Sequence, residues 1–381
     1  MKLVIVGCGG FIGSHLLDRL LQDNSVHIVG WDPDVRKIEH HLNNPNLRVY
    51  RQSIHAPEVY DSLCETVGWA DTVINLAAIC NPAEYTTNPL SVIRANFLDV
   101  YQLVDLCAAR QKWLISFSSS EVYGRTVASY LPNNLYEDPD LYEFSEDATP
   151  LIMGPITNQR WSYGCAKQLL ERYIYANHYE RGLPFTIVRP LNFFGPRMDF
   201  MPGRDGEGVP RVLACFMRAL VEGLPLQLVN GGWQRRTIVS IHDAIEALLL
   251  MLAKPQKAQN QFFNIGNRKN EVTIAELAEL MRCCYAEITG DPRYVEHPIE
   301  VVDAETFYGK GYEDCDRRVP KLDRARTLLG WTPRIPLREL LLETMAYYHH
   351  QYSGNQPERL TNPLGARQPN SLGASDSRSF G

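Results

Sequence analysis

No stretch of this 381-residue chain approaches the roughly 18 uninterrupted apolar residues of a spanning helix, so no membrane segment is expected. The opening Met1-Lys2-Leu3-Val4-Ile5-Val6-Gly7 is too short an apolar run for a secretory signal and leads straight into glycines. It reads as a first buried strand. A basic excess is missing too. Lys and Arg number 38 against 44 Asp and Glu, a formal charge of −6, which gives no electrostatic ground for nucleic acid or an anionic membrane as partner. The nine cysteines, at 8, 64, 80, 107, 165, 215, 283, 284 and 315, contain no Cys-x-x-Cys pair and no Cys/His cluster with zinc-ligand spacing. His40-His41 and His349-His350 are adjacent pairs that suit surface segments, so no metal is expected. Scattered and odd in number, the cysteines read as small buried hydrophobes of a reduced, cytoplasmic protein. No internal repeat is present, and the length allows one large domain or two interlocked ones.

What is present is an alternation of short β-rich runs with helical patterns, the signature of a parallel sheet covered on both faces. Strands are expected at Leu3–Val6, Val26–Trp31, Leu47–Tyr50, Thr72–Leu76, Trp113–Phe117 and Phe185–Val188. Ile12, Leu16, Leu17, Leu20 and Leu21 recur at helical spacing, and further helices are expected at Val92–Ala109 and around Tyr163. Beyond Arg189 the texture changes. Residues 196–210 are rich in Gly, Pro and charge and read as a loop over a site. Helices follow at Pro210–Glu222, Asp243–Leu252 and Val272–Ile288, with a turn at Asn230-Gly231-Gly232 and a strand end at Asn264-Ile265-Gly266. From about Ser353 the chain is polar and rich in Pro, Gly, Ser and Asn, so residues 353–381 are expected to form a disordered tail.

Three local patterns carry chemistry. Gly7, Gly10 and Gly13 stand between a strand and a helix, where glycines allow a tight turn and close approach to a pyrophosphate. Phe11 and Ile12 open that helix, whose N-terminal amides and dipole favour an anion. Asp32 ends the second strand, nineteen residues after Gly13, where an acid takes the adenosine ribose hydroxyls and disfavours a 2′-phosphate. NAD is therefore the expected cofactor, with Arg36 close enough to moderate the preference. Tyr163 and Lys167, four apart on a helix, share one face, so the ammonium can favour phenolate and make Tyr163 a general base on an alcohol. Ser118-Ser119-Ser120-Glu121 follows a strand, and Ser119 and Glu121, two apart on extended chain, face one side. The fold class expected is α/β, a Rossmann-type doubly wound parallel sheet with a smaller, interleaved C-terminal substrate domain. The dinucleotide domain would span 1–190 with about 237–266, and the substrate domain 191–236 with 267–352.

Gly7–Gly13, Asn75-Leu76-Ala77-Ala78, Ser118–Gly124, Tyr163/Lys167 and Arg189–Arg197 together resemble the extended short-chain dehydrogenase/reductases that act on nucleotide sugars. The resemblance covers about residues 1–350. It narrows to the UDP-glucuronate decarboxylating group, nearest its UDP-apiose/UDP-xylose synthase branch, through Gln159–Tyr163, Gly195–Phe200, Gly206–Phe216 and Tyr308–Tyr312. The resemblance implies an NAD-dependent enzyme that oxidises C4 of UDP-glucuronate and then loses CO2. It implies further cofactor contacts at Ser53, Ile54, Leu76, Ala77, Ala78 and Asn96. It makes Glu121 an acid/base residue and gives the C-terminal catalytic arginine to Arg318, with Arg317 beside it as the alternative. Substrate contacts are implied for Tyr85, Ser119, Ser120, Arg160, Asn192, Arg211, Gln227, Arg236 and Tyr312, and a homodimer through the Val92–Ala109 and Tyr163 helices.

The product turns on Cys80 and Ser120. Cys80 follows the fourth strand and is expected to face the sugar, and plant apiose-forming relatives resemble this chain in having cysteine there. A thiol can assist proton transfer during ring contraction. Ser120, however, stands where those relatives have a second cysteine and simple decarboxylases have serine. UDP-xylose, UDP-apiose and a released UDP-4-keto-pentose with NADH all stay open. A 4-epimerase is disfavoured because it needs no Glu121/Arg318 pair. A non-catalytic NAD-binding sensor is disfavoured because both Tyr163 and Lys167 are present.

Overall fold

Short apolar runs buried on both sides build one parallel sheet: β1 (Lys2–Val6), β2 (His27–Trp31), β3 (Leu47–Tyr50), β4 (Thr72–Asn75), β5 (Trp113–Phe117), β6 (Phe185–Pro190) and β7 (Gln261–Ile265). The computed structural model describes residues 1–131, 138–201, 203–204, 210–308, 313 and 315–353. The seven strands run β7-β6-β5-β4-β1-β2-β3, every pair parallel. This is the expected doubly wound α/β sheet. The order reverses between β1 and β4, and a crevice opens outside the carboxyl ends of strands at such a point.

Side-chain alternation along β1 divides the core. Leu3 and Ile5 face helices α1 (Phe11–Leu20) and α6 (Ile241–Ala253), packing with Leu16, Leu17, Ile245 and Leu248. Val4 and Val6 face the opposite layer, α2 (Tyr60–Trp69), α3 (Tyr101–Ala109) and α4 (Ser162–Arg181), through Leu63, Leu103, Val104 and Leu170. A third cluster lies away from the sheet among α5 (Val212–Glu222), α7 (Ile274–Thr289) and α8 (Leu337–Ser353), where Phe216, Met217, Leu277, Met281, Leu340 and Met345 are buried. Each such side chain contributes about 1.5–3 kcal/mol on burial. A four-stranded sheet, ordered Glu271–Thr273, Arg235–Thr237, Arg317–Pro320, Glu143–Phe144, joins this region to the main sheet's carboxyl edge. Its last strand comes from inside the segment expected to serve the dinucleotide domain.

Several expected elements differ in extent. The Val92–Ala109 helix is broken into Pro89–Ile93, a π-turn Arg94–Leu98 and α3. The break coincides with Asn96, whose side-chain amide donates to the carbonyls of Val92 and Ile79, both at 2.9 Å, and so pulls the turn toward the β4 loop. The Val272 helix starts at Ile274. Glu271–Thr273 pairs antiparallel with Arg235–Thr237, and Thr273 then closes a capping box with Glu276 (3.0 and 2.7 Å). The final helix α8 was not expected. Its buried residues seal the third cluster. The tail expected from Ser353 lies, past that residue, outside the described residues. Among the described residues no helix is long and apolar enough to cross a membrane.

Candidate active site

The glycine loop joins β1 to α1, and Gly7 takes a left-handed φ of 83° there. Helix α1 begins after Gly10 with no side-chain cap and no acid in its first turn, which leaves its amides to an anion. Asp32 accepts the Gly9 N–H at 2.9 Å and the Asp34 N–H at 2.9 Å, so its carboxylate is fixed beside the loop. Partial burial pushes that carboxyl above its ordinary value, while the two backbone N–H groups pull it down. Ile54 is buried past β3, and the Ser53 hydroxyl bonds His55 Nδ1 at 2.6 Å. Leu76, Ala77 and Ala78 leave the end of β4, where the Ala77 N–H returns to Asn75 Oδ1 at 3.3 Å. Phe11 and Ile12 pack on the core beneath α1. These features fit a dinucleotide: free helix-terminal amides for the pyrophosphate and an oriented acid for the ribose.

Helix α4 brings the Tyr163 phenol to the end of β5. The Ser162 hydroxyl donates to the Tyr85 carbonyl at 3.2 Å, and Gln168 donates to the Val122 carbonyl at 3.3 Å, docking the helix on both neighbouring loops. The Tyr163 ring stacks on Tyr85 at 4.7 Å with an interplanar angle of 3°. Lys167 is buried and donates to the Phe117 carbonyl at 3.0 Å. The Ser119 hydroxyl accepts the Glu121 N–H at 3.1 Å and lies near enough to Tyr163 to act on its phenol. One expectation is corrected here. Burial dominates the phenol and pushes its pKa well up, with Cys80 adding to the rise and the Ser119 hydrogen bond opposing it. Burial likewise lowers Lys167 to about 8. Both groups are held toward their neutral forms, so Lys167 does not by itself make a phenolate of Tyr163.

Glu121 has the opposite balance. Burial raises its pKa, but Arg160 and Arg318 outweigh burial and bring it to about 2. Arg160 lies 2.9 Å from Oε2 and donates to Oε1 at 3.1 Å, Arg318 donates to the same Oε1, and both guanidiniums are buried. Strand alternation sends Arg317 and Arg318 to opposite faces. Arg317 points the other way, bonding Glu271 at 2.6 and 2.8 Å and stacking on Tyr142, while Arg318 reaches Glu121.

A cavity of about 490 Å3 opens over this cluster, lined by Glu121, Arg160, Arg318, Asn192, Arg211, Gln227 and Arg236 among others. Asn192 sits in a left-handed turn and donates to the Thr237 carbonyl at 2.9 Å. Arg236 donates to the carbonyls of Arg235 and Cys315, both at 2.8 Å. Cys80 is exposed after β4 and close enough to act electrostatically on Tyr163, Lys167 and Arg211. Ser120 is buried in the turn that carries Glu121. Tyr312 lies outside the described residues. Sequence reading missed Asp199, which grips the Arg211 guanidinium at 3.0 Å through each oxygen while Tyr348 of α8 bonds the Asp199 backbone. The segment Met198-Asp199-Phe200 was conspicuous in the sequence, but nothing in it told of a partner twelve residues away. Apart from this site, His40 and His41 both bond Asp18 Oδ1 (3.0 and 2.7 Å), whose second oxygen carries Arg197.

A glycine loop with its oriented acid, a Tyr/Lys/Ser constellation at the end of β5 and a cation-rich cavity define a dinucleotide-dependent enzyme of the Rossmann type. The chain belongs to the NAD-dependent epimerase/dehydratase family, whose model matches residues 3–266, and its cofactor is NAD. It is 47% identical over 359 residues to the UDP-D-apiose/UDP-D-xylose synthase of Oryza sativa subsp. japonica, covering 92% of this chain and 90% of that one. It is 46% identical over 371 residues to UDP-D-apiose/UDP-D-xylose synthase 1 of Arabidopsis thaliana, covering 96% and 95%. Among solved structures, the PbgP3 protein from Burkholderia pseudomallei superposes with a TM-score of 0.77 at 30% identity, over 92% of this chain and 96% of that one.

Proposed function

We propose that the protein binds UDP-glucuronate, oxidises its C4 hydroxyl, releases C6 as CO2 and reduces the ketone again, giving UDP-xylose and/or UDP-apiose. The observation that carries this reading is the Glu121 carboxylate held between Arg160 and Arg318 at the cavity floor, on the same turn as Ser119, which neighbours Tyr163. NAD+, when bound, supplies the hydride acceptor for C4 and later returns the hydride. Tyr163, which burial holds as the phenol and which must enter this step as the phenolate, takes the C4 hydroxyl proton, and Ser119 hydrogen-bonds the same oxygen. With C4 a ketone, the carboxylate is β to a carbonyl. The C5–C6 bond breaks, CO2 leaves, and the electron pair passes into an enolate whose oxygen Ser119 and Tyr163 hold. The return of a proton to C5 is assigned to Arg318 and Glu121, with Glu121 entering the step as the carboxylate. Arg211 and Arg236 are assigned to the diphosphate, which a guanidinium fork suits, and Gln227 to the uridine.

Ring contraction to apiose is assigned to Cys80, which neighbours Tyr163 and Lys167. The dinucleotide is assigned to residues 1–190 with 237–266, and the sugar nucleotide to 191–236 with 267–352. A homodimer is proposed through the outer faces of Pro89–Leu98 and α4, where Leu90, Leu98, Leu169 and Tyr179 are exposed. A single-chain mass in sedimentation at micromolar concentration would refute that part. The test of function is one incubation with UDP-glucuronate and NAD+, followed by NMR and by absorbance of NADH. Loss of CO2 without net NADH is expected, with anomeric signals separating xylose from apiose. Persistent NADH would instead mean release of the keto-pentose, and unchanged UDP-glucuronate would overturn the reading.

A further inference from the structure

Arg36 stands four residues past the ribose-binding acid Asp32, and by position alone it offers a cation to a 2′-phosphate. The structure folds it elsewhere. Its Nε lies 3.0 and 3.1 Å from the two carboxylate oxygens of Asp34, and a terminal nitrogen lies 2.6 Å from the second. The Arg36 backbone N–H adds a bond to Asp34 Oδ1 at 3.1 Å. Asp34 is in turn tied to the cofactor loop. Its own N–H donates to Asp32 Oδ1 at 2.9 Å, and the Gly9 N–H donates to Asp32 Oδ2 at 2.9 Å. A Cβ on Gly9 would lie 1.8 Å from the Asp34 carbonyl and 3.0 Å from Asp32 Cγ, so the 32–36 turn is packed directly on the glycine loop. Arg36 also keeps the Asp34 carboxyl ionised, holding its pKa below the ordinary value against a small opposing effect of burial.

We propose that Asp34 is a second determinant of NAD over NADP: it sequesters the Arg36 guanidinium at the lip of the ribose site. Asp32 rejects a 2′-phosphate by charge, as its place at the end of β2 already implies. Asp34 removes the residue that would otherwise rescue one, because a guanidinium committed to a carboxylate fork is not offered to phosphate. The inference rests on the family's cofactor and is independent of which sugar nucleotide is turned over.

Binding of NADH and of NADPH to the full chain, titrated by nicotinamide fluorescence and by calorimetry, tests it without turnover. Asp34→Asn keeps a carbonyl oxygen for the Arg36 N–H, so the turn is retained while the ion pair is lost. In this variant NADPH should bind about tenfold more tightly, the scale of one charge-assisted hydrogen bond, while NADH changes by less than about threefold. Adding Arg36→Ala to Asp34→Asn should abolish the NADPH gain. An unchanged NADPH affinity in the single variant overturns the proposal. So does equal weakening of both dinucleotides, which would mark a structural role, or a gain that survives in the double variant, which would reduce Asp34 to a charge effect alone.

Discussion

Replacing Glu121 by Gln separates the electrostatic account from a packing one. Gln has nearly the same shape and keeps an acceptor oxygen, but it removes the charge that two buried guanidiniums share. The carboxyl's ordinary value of 4.5 falls to about 2 in the folded protein, because Arg160 and Arg318 outweigh burial. At about 1.4 kcal/mol per pKa unit, that difference is worth about 3 kcal/mol of stability. Removing one partner of a buried pair costs about 3–5 kcal/mol by mutational precedent, which agrees. The sign follows from the depressed folded pKa. The stabilisation is complete above about pH 4.5 and is lost as pH falls toward about 2. Urea unfolding at pH 7 should therefore give Glu121→Gln a stability lower by about 3 kcal/mol, and the gap from the unmutated protein should close as the pH falls toward the folded pKa of about 2. Decarboxylation should fall by about 10²- to 10⁴-fold, the scale of a lost acid/base group. A stability gap that stays constant with pH would refute the charge argument. A rate above about a tenth of the unmutated value would refute the catalytic role.

Three further outcomes are expected. Cys80→Ala should keep UDP-xylose formation and lose any UDP-apiose, as measured by NMR of the products; equal loss of both would remove Cys80 from ring contraction. Asp199→Asn should raise KM for the sugar nucleotide by about tenfold with kcat nearly unchanged, because Asp199 orients the Arg211 fork and touches no reacting atom. A fall in kcat at constant KM would contradict it. UDP-glucose should bind at least about tenfold more weakly than UDP-glucuronate in calorimetry; equal affinity would mean the cluster does not read the C6 carboxylate.

Much of the site was legible because its chemistry sits in short motifs on regular elements. The glycine loop, Asp32 and the Tyr163/Lys167 spacing each needed only a strand end or one helical turn to be placed, whereas Ser119 to Glu121, read as extended chain, enters a 3-10 turn that starts at Ser120. Pairings across long separations were not legible. Glu121 and Arg318 are 197 residues apart, and the strand Arg317–Pro320 that decides which arginine faces inward had no sequence signal of its own. Helix α8 escaped notice although its buried residues complete a core, and through Tyr348 it braces the Asp199–Arg211 pair. The sign of the Tyr163 shift was misjudged for a related reason. Local spacing reveals the nearby ammonium, whereas the desolvation that wins depends on how completely α4 is covered by the β4 and β5 loops.

Burial prevails in one half of the site and is outweighed in the other, and that contrast bears on substrate choice. At the Tyr163/Lys167 dyad it favours neutral groups, so the phenol must first lose its proton to act as a base. At the floor of the cavity two buried guanidiniums, Arg160 and Arg318, outweigh burial and keep the Glu121 carboxylate ionised. Arg211 is engaged by Asp199. On the proposed reading, a uronate would bring its carboxylate to this arginine-rich floor, which a neutral hexose lacks. Loss of CO2 would leave the same guanidiniums facing the enolate oxygen as it forms. Selection of the acidic sugar and stabilisation of the anionic intermediate would then share one electrostatic cause.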